Sequence, residues 1–248
     1  MHLRALFSIL LGQATVAAVP IWALMFGVIG CVLWGVAYYL VIVTCFKQKT
    51  YGIPLAAICM NITWELLSVF FWVAVQQEPA FHYSDIAWLC MDVVIIGQLF
   101  YYGRKEQTIR QIRENFNFVV IGSLILAFWG QYTFPHTYSD PDGFVLAFMI
   151  NMGMSICFVF MFFARPDLRG LSYPVAWLKM LGTLAESIMC TMWMPAKHPE
   201  IQNFSFFYFL YFTTWIFDCI YIILLRDTRQ KLAATPAVPA TSASLSVS

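Results

Sequence analysis

Residues 53–76 read IPLAAICMNITWELLSVFFWVAVQ, and residues 204–225 read FSFFYFLYFTTWIFDCIYIILL. At about 1.5 Å per residue, either stretch can cross about 30 Å of hydrocarbon as a helix. Each holds one carboxylate, Glu65 in the first and Asp218 in the second. An ionisable side chain at that depth costs at least about 2.5 kcal/mol, so it marks a working site by default. A carboxyl group in apolar surroundings can also keep its proton at neutral pH. The two stretches set both the fold class and the search for chemistry.

Five more apolar runs of about 20 residues surround them, at 20–45, 84–102, 116–134, 143–164 and 173–194. The breaks at 47–52, 77–83, 103–115, 135–142, 165–172 and 195–203 are short and carry turn and breaker residues. The runs are continuous and do not alternate at period two, which favours helices over a barrel. The expected fold is all-α: a polytopic membrane protein with a seven-transmembrane-helix bundle over 20–232. An interfacial segment, 1–19, precedes it, and a disordered Ala/Pro/Ser/Thr tail, 233–248, follows. Composition agrees, because a chain of 248 residues that is 61% hydrophobic and 11% charged has more apolar side chain than a soluble domain of that size can bury. A net charge of +1 says nothing about nucleic acid by itself, but no basic stretch alternates with aromatics, so no nucleic-acid partner is expected. The seven cysteines form no CxxC pair and read as small apolar residues within the runs.

Basic residues orient the bundle. Threading seven spans puts Lys47, Lys49, Arg104, Lys105, Arg110, Arg113, Arg165, Arg169, Arg226, Arg229 and Lys231 on one side, and only Arg4 and Lys197 on the other. The N-terminus is therefore expected outside or in the lumen, and the C-terminus in the cytosol. The membrane is the plasma membrane for a bacterial chain and the endoplasmic reticulum for a fungal one. Lys179 falls inside a run, near its inner end, and is expected to snorkel. Trp22, Trp72, Trp88, Trp193, Tyr102 and Tyr173 lie near span ends and suit interfacial aromatic belts.

Few polar residues lie within the spans. Asn61, Glu65, Ser68 and Trp72 recur at i, i+4, i+7 and i+11, which puts them on one helical stripe. On that stripe Asn61 can hydrogen-bond Glu65, with Trp64 beside it. Thr214, Asp218 and Tyr221 share a face of the last span, with Trp215 one turn before the acid. Asp92, Asn151 and Glu186 complete the set. Counted inward from the outer ends, Glu65, Asp92, Asn151, Glu186 and Asp218 fall within a slab about 10 Å thick, consistent with one shared cavity. Asn61 and Asn151 can equally serve helix–helix hydrogen bonding, and Asp92 and Glu186 can face water in a vestibule. His82, His136 and His198 lack metal-ligand spacing, so no metal site is expected.

The segments Tyr51-Gly52-Ile53-Pro54-Leu55, Asn61-Ile62-Thr63-Trp64-Glu65 and Lys179-Met180-Leu181-Gly182-Thr183, with the late Asp218, resemble the membrane-bound terpene cyclases of meroterpenoid and indole-terpenoid pathways. The resemblance covers nearly the whole chain apart from the tail. It implies that the two essential acids are Glu65 and Asp218. It also implies a hydrophobic substrate drawn from the bilayer, a linear prenyl chain on an aromatic or similar head group. One acid protonates the chain end, an epoxide or an alkene, and carbocation cyclisation to a polycyclic terpenoid follows. Trp64, Trp215 and Tyr221 beside the acids, with Asn61, Asp92, Asn151 and Glu186, are the expected substrate-binding residues, since aromatic faces stabilise passing cations. No cofactor is implied, and no Asp-Asp-x-x-Asp, Walker or GxGxxG motif is present. The competing reading is a small proton-coupled transporter with the buried acids as a relay; a seven-span receptor is a third.

Overall fold

The computed structural model describes residues 6–7, 18–72, 79–138, 140, 142–201 and 203–234. Every element among them is helical. Seven long helices, α1 (Ile21–Gln48), α2 (Leu55–Phe70), α3 (Pro79–Tyr102), α5 (Phe116–Tyr138), α6 (Phe144–Ala164), α7 (Tyr173–Lys197) and α8 (Ser205–Ala234), correspond to the seven expected runs. A 3₁₀ turn, Gly103–Glu106, and the short α4, Arg110–Glu114, fill the break between α3 and α5. Helices satisfy their own backbone groups, the condition for crossing hydrocarbon. Five of them, α1, α3, α5, α6 and α8, are long and apolar enough to cross. α2 is apolar but has 16 residues, and residues 73–78 beyond it are outside the described set. α7 carries Lys179, Glu186 and Lys197; Lys179 is buried and Glu186 lines the interior cavity.

Six helices close a ring in the order α1, α3, α2, α6, α8, α7, and back to α1. α5 stands outside the ring against α2. Its outward residues Phe118, Ile125, Leu126 and Trp129 are exposed, as are Phe160 and Phe163 of α6. An apolar exterior of this kind belongs to a protein whose solvent is lipid.

Several boundaries differ from the sequence reading. α3 begins at Pro79 instead of 84, because proline fits the first turn of a helix. α5 and α7 run through Pro135 and Pro195 to Tyr138 and Lys197; so close to a C-terminus a proline removes little of the ladder. α8 extends to Ala234, so positions 233 and 234 are helical, and the rest of the expected tail lies outside the described residues. So does most of the expected interfacial segment, although Phe7 and Val19 are buried with Ala23, Leu24 and Trp193. Trp193 is 1% exposed and packs against Phe81 at 5.0 Å, so it belongs to the core and not to an aromatic belt. Cys90 is exposed on the outer surface and not buried.

At the end of the bundle rich in Lys and Arg, Arg165 fastens three loops together. It pairs with Glu106 at 2.9 Å, donates to the Tyr51 carbonyl at 2.6 Å and stacks over the Tyr51 ring at 4.1 Å. Thr50 and Arg169 also bond Glu106. Gly170, at φ +78°, allows the close approach, since a Cβ there would sit 2.6 Å from the Tyr51 carbonyl oxygen.

Candidate active site

Five helices wall one cavity of about 860 Å³, counted out to its mouth. α1 supplies Cys31, Trp34 and Tyr38, and α2 supplies Asn61, Trp64 and Glu65. α3 adds Phe81 and Trp88, α6 adds Asn151 among apolar residues such as Phe148 and Met154, and α7 adds Glu186. The lining is mainly aromatic and aliphatic, with polar groups at a few points.

The stripe on α2 explains the arrangement. Asn61 and Glu65 stand one turn apart and face the cavity together. Glu65 is 4% exposed, and its Oε2 is buried without a hydrogen-bond partner among the described residues. Asn61 does not bond Glu65 as the sequence suggested. Its amide donates to the Tyr38 hydroxyl oxygen at 2.6 Å and to Asp92 Oδ2 at 2.7 Å, which uses both of its hydrogens. Asp92 is wholly buried, so it does not face water in a vestibule. One turn further along α2, Ser68 donates to Asp85 of α3. Trp64 packs edge-on against Trp72 at 5.5 Å and donates to the Gly143 carbonyl at 3.4 Å.

The electrostatics are one-sided. Glu65 lies within Coulombic reach of Asp85 and Asp92, and Glu186 within reach of Asp85. No Lys or Arg is among the lining residues. Two carboxyl groups thus line the wall, Glu65 and Glu186, and two stand behind it, Asp85 and Asp92. At the N-terminal end of α6, outside the spans, Asp140 accepts from the backbone N–H groups of Val145 and Leu146 at 3.2 and 2.9 Å. Burial is the larger effect there and holds its carboxyl above the ordinary carboxylate range.

Asp218 has a different setting. Lys179 Nζ lies 2.9 Å from its Oδ1 and 3.0 Å from its Oδ2, and also donates to Ser155 at 2.6 Å. Both side chains of the pair are 3% exposed. Neither they nor any residue of α8 is among those lining the cavity.

A family model for the Pyr4-like transmembrane terpene cyclases matches residues 14–231. The chain belongs to that family. It is 26% identical over 207 residues to the Pyr4-family terpene cyclase mfmH of Annulohypoxylon moriforme, covering 80% of this chain and 83% of the relative. It is 25% identical to the terpene cyclase macJ of Penicillium terrestre, over 71% and 68% of the two chains. Against the terpene cyclase ascF of Acremonium egyptiacum the figures are 25%, 82% and 80%. The protein is thus a transmembrane terpene cyclase, and the transporter and receptor readings give way.

Within the cyclase, Asn61, Trp64, Glu65, Asn151 and Glu186 meet at the cavity, and Asp92 stands one hydrogen bond behind it. Asp218, Trp215 and Tyr221 do not join them. α8 packs behind α6 and α7, so its inward face meets those helices. Tyr221 stacks on Phe158 at 5.3 Å, and Trp215 is 45% exposed. Lys179 does not snorkel, since it is 2% exposed and held by Asp218. The sequence reading overlooked Asp85 and the α1 residues Cys31, Trp34 and Tyr38. The i, i+4 spacing of Trp34 and Tyr38, in register with Gly27 and Gly30, is the signal that α1 presents a face to the interior.

Proposed function

We propose that this cyclase starts carbocation cyclisation of a prenyl chain, carried on an aromatic or similar head group, by protonating the chain's far end, with Glu65 as the acid. The observation that carries the reading is the Glu65 carboxyl in the wall of an aromatic cavity, with one oxygen lacking a hydrogen-bond partner among the described residues. The proton passes to the epoxide oxygen or alkene carbon, and the neighbouring π electrons close the first ring. The positive charge then moves past Trp34, Trp64 and Trp88, whose faces attract cations by about 0.5–2 kcal/mol each. A prefolded chain closes its rings in the order that the cavity shape sets. The dry wall keeps water from quenching the cation.

In this reading Asp218 acts through Lys179. The buried pair locks α8 to α7, and through Ser155 to α6, whose next turn inward supplies Asn151 to the cavity. The bundle is threaded as seven spans with the Arg165 end in the cytosol, following the asymmetry of its basic residues.

The test is to feed membranes carrying wild type or Glu65→Gln with prenylated phenols, with and without a terminal epoxide, and to look for products of unchanged mass. Glu65→Gln should lose at least about a hundredfold in rate. Undiminished cyclisation at normal protein level would overturn the assignment.

A further inference from the structure

A cyclisation started by a proton must also end with one, and the inference here rests on the proton-initiated reading above. After the last ring closes, a neighbouring C–H gives its proton to a base, and its bonding pair becomes the new double bond. The closing carbon lies several bonds from the carbon first attacked. The acceptor therefore belongs at another place on the wall than the donor. The lining residues include one carboxyl besides Glu65, namely Glu186 of α7. Asp85 and Asp92 are buried behind the wall, holding Ser68 and Asn61, and Asp218 is bonded to Lys179.

The packing around Glu186 is shaped for a carboxyl. α1 and α7 make the most extensively packed helix pair among the described residues. Gly30 of α1 faces Glu186, and a Cβ there would come within 2.7 Å of its Cδ and 2.8 Å of its Cγ. One turn away on α1, Gly27 lies against Met189, and from the other side Gly182 of α7 lies against Trp34. The α1 backbone is thus bare where the glutamate needs room. Beside it, the Cys31 thiol is 3.7 Å from Glu186 Oε1 and donates to it. That contact orients the carboxyl and leaves it among the aromatic residues of the cavity.

We propose that Glu186 is the catalytic base that ends the cascade by accepting the proton of the final cation, and that Gly30 positions it. Glu65 gives one proton to the substrate and Glu186 takes one from it, so the conversion is an isomerisation with no net change of atoms. The pair resets when that proton returns to Glu65. Asp85, within Coulombic reach of both glutamates, is the carboxyl placed to relay it.

The experiment compares membranes carrying wild type, Glu65→Gln, Glu186→Gln, Glu186→Asp and Gly30→Ala. Each is fed whichever farnesylated phenol or terminal epoxide wild type cyclises. Products are resolved by mass spectrometry, and protein levels are normalised. Glu186→Gln should still consume the probe, more slowly, while the wild-type product falls about tenfold or more and hydrated or differently placed alkenes replace it. Gly30→Ala, which keeps the carboxyl but displaces it, should shift the products the same way, and Glu186→Asp should lie between. Wild-type product ratios in both Glu186→Gln and Gly30→Ala would overturn the proposal. So would complete loss of consumption by well-folded Glu186→Gln, which would put Glu186 in initiation. If Glu186→Gln fails to accumulate, Gly30→Ala and Glu186→Asp decide by the same product ratios. Glu65→Gln reports separately: undiminished consumption there sinks the donor assignment without touching the product ratios of the other variants.

Discussion

Lys179 Nζ sits 2.9 Å from Asp218 Oδ1, a buried ion pair that joins α7 to α8 behind the cavity. Removing one partner leaves the other charged and alone, a loss of about 3–5 kcal/mol. Asp218→Asn and Lys179→Met should each lower the melting temperature in detergent sharply and lose activity with it. Lys179→Met combined with Asp218→Leu should recover much of the stability, since a matched apolar pair replaces a buried ion pair at small cost. A folded, fully stable Asp218→Asn with no activity would instead place Asp218 in the chemistry.

Asn61 ties α1, α2 and α3 together through Tyr38 and Asp92. Asn61→Ala removes two buried hydrogen bonds and leaves Tyr38 and Asp92 only each other, and should cost about 1–3 kcal/mol. Tyr38→Phe removes one acceptor and should cost about 1 kcal/mol. Denaturation curves of the purified variants, read beside their product yield, check the ranking of Asn61→Ala below Tyr38→Phe.

The Arg165 clasp holds the loops at the far end from Asp142 and His198, which pair at 2.7 Å. Arg165→Ala leaves Glu106 to Arg169 and Thr50 and strips the Tyr51 carbonyl of its buried donor, and should cost about 1–3 kcal/mol. Gly170→Ala should cost at least about 1 kcal/mol, from its positive φ and from the contact with the Tyr51 carbonyl. Both should reduce folded protein in membranes while leaving the product ratio of the surviving enzyme unchanged.

Asp140 provides a test in pH. Burial raises its folded-state pKa above the unfolded value. Its contribution to stability is therefore complete below the unfolded value of about 4 and fades as pH climbs through the folded value. Asp140→Asn, which does not titrate, should gain on wild type as pH is raised from about 4 to about 7, measured as the difference in melting temperature.

Much of this was legible in the chain itself. The apolar runs located every long helix among the described residues, because helices in lipid must be continuous and greasy, and the 3.6-residue period puts Asn61 and Glu65 on one face. Helix order was not legible. A carboxylate deep in a span reads the same whether it faces a chamber or a lysine on the neighbouring helix, so Asp218 and Lys179 were read apart. Asp85 was missed because α3 begins at Pro79, one turn earlier than the polar stretch implied, which draws a residue from the apparent rim into the interior. Trp34 and Tyr38 were missed because their spacing marks an inward face of α1 without separating an aromatic that lines a chamber from one that packs.

The helix carrying Asp218 contributes no lining residue to the chamber, while five others do. The enzyme thus has a keel and a mould. Substitutions at the lining positions of α1, α2, α3 and α6, away from Ser155, can recast the shape in which a chain folds without loosening the brace at its back. New ring systems are best sought by editing the mould and leaving the keel untouched.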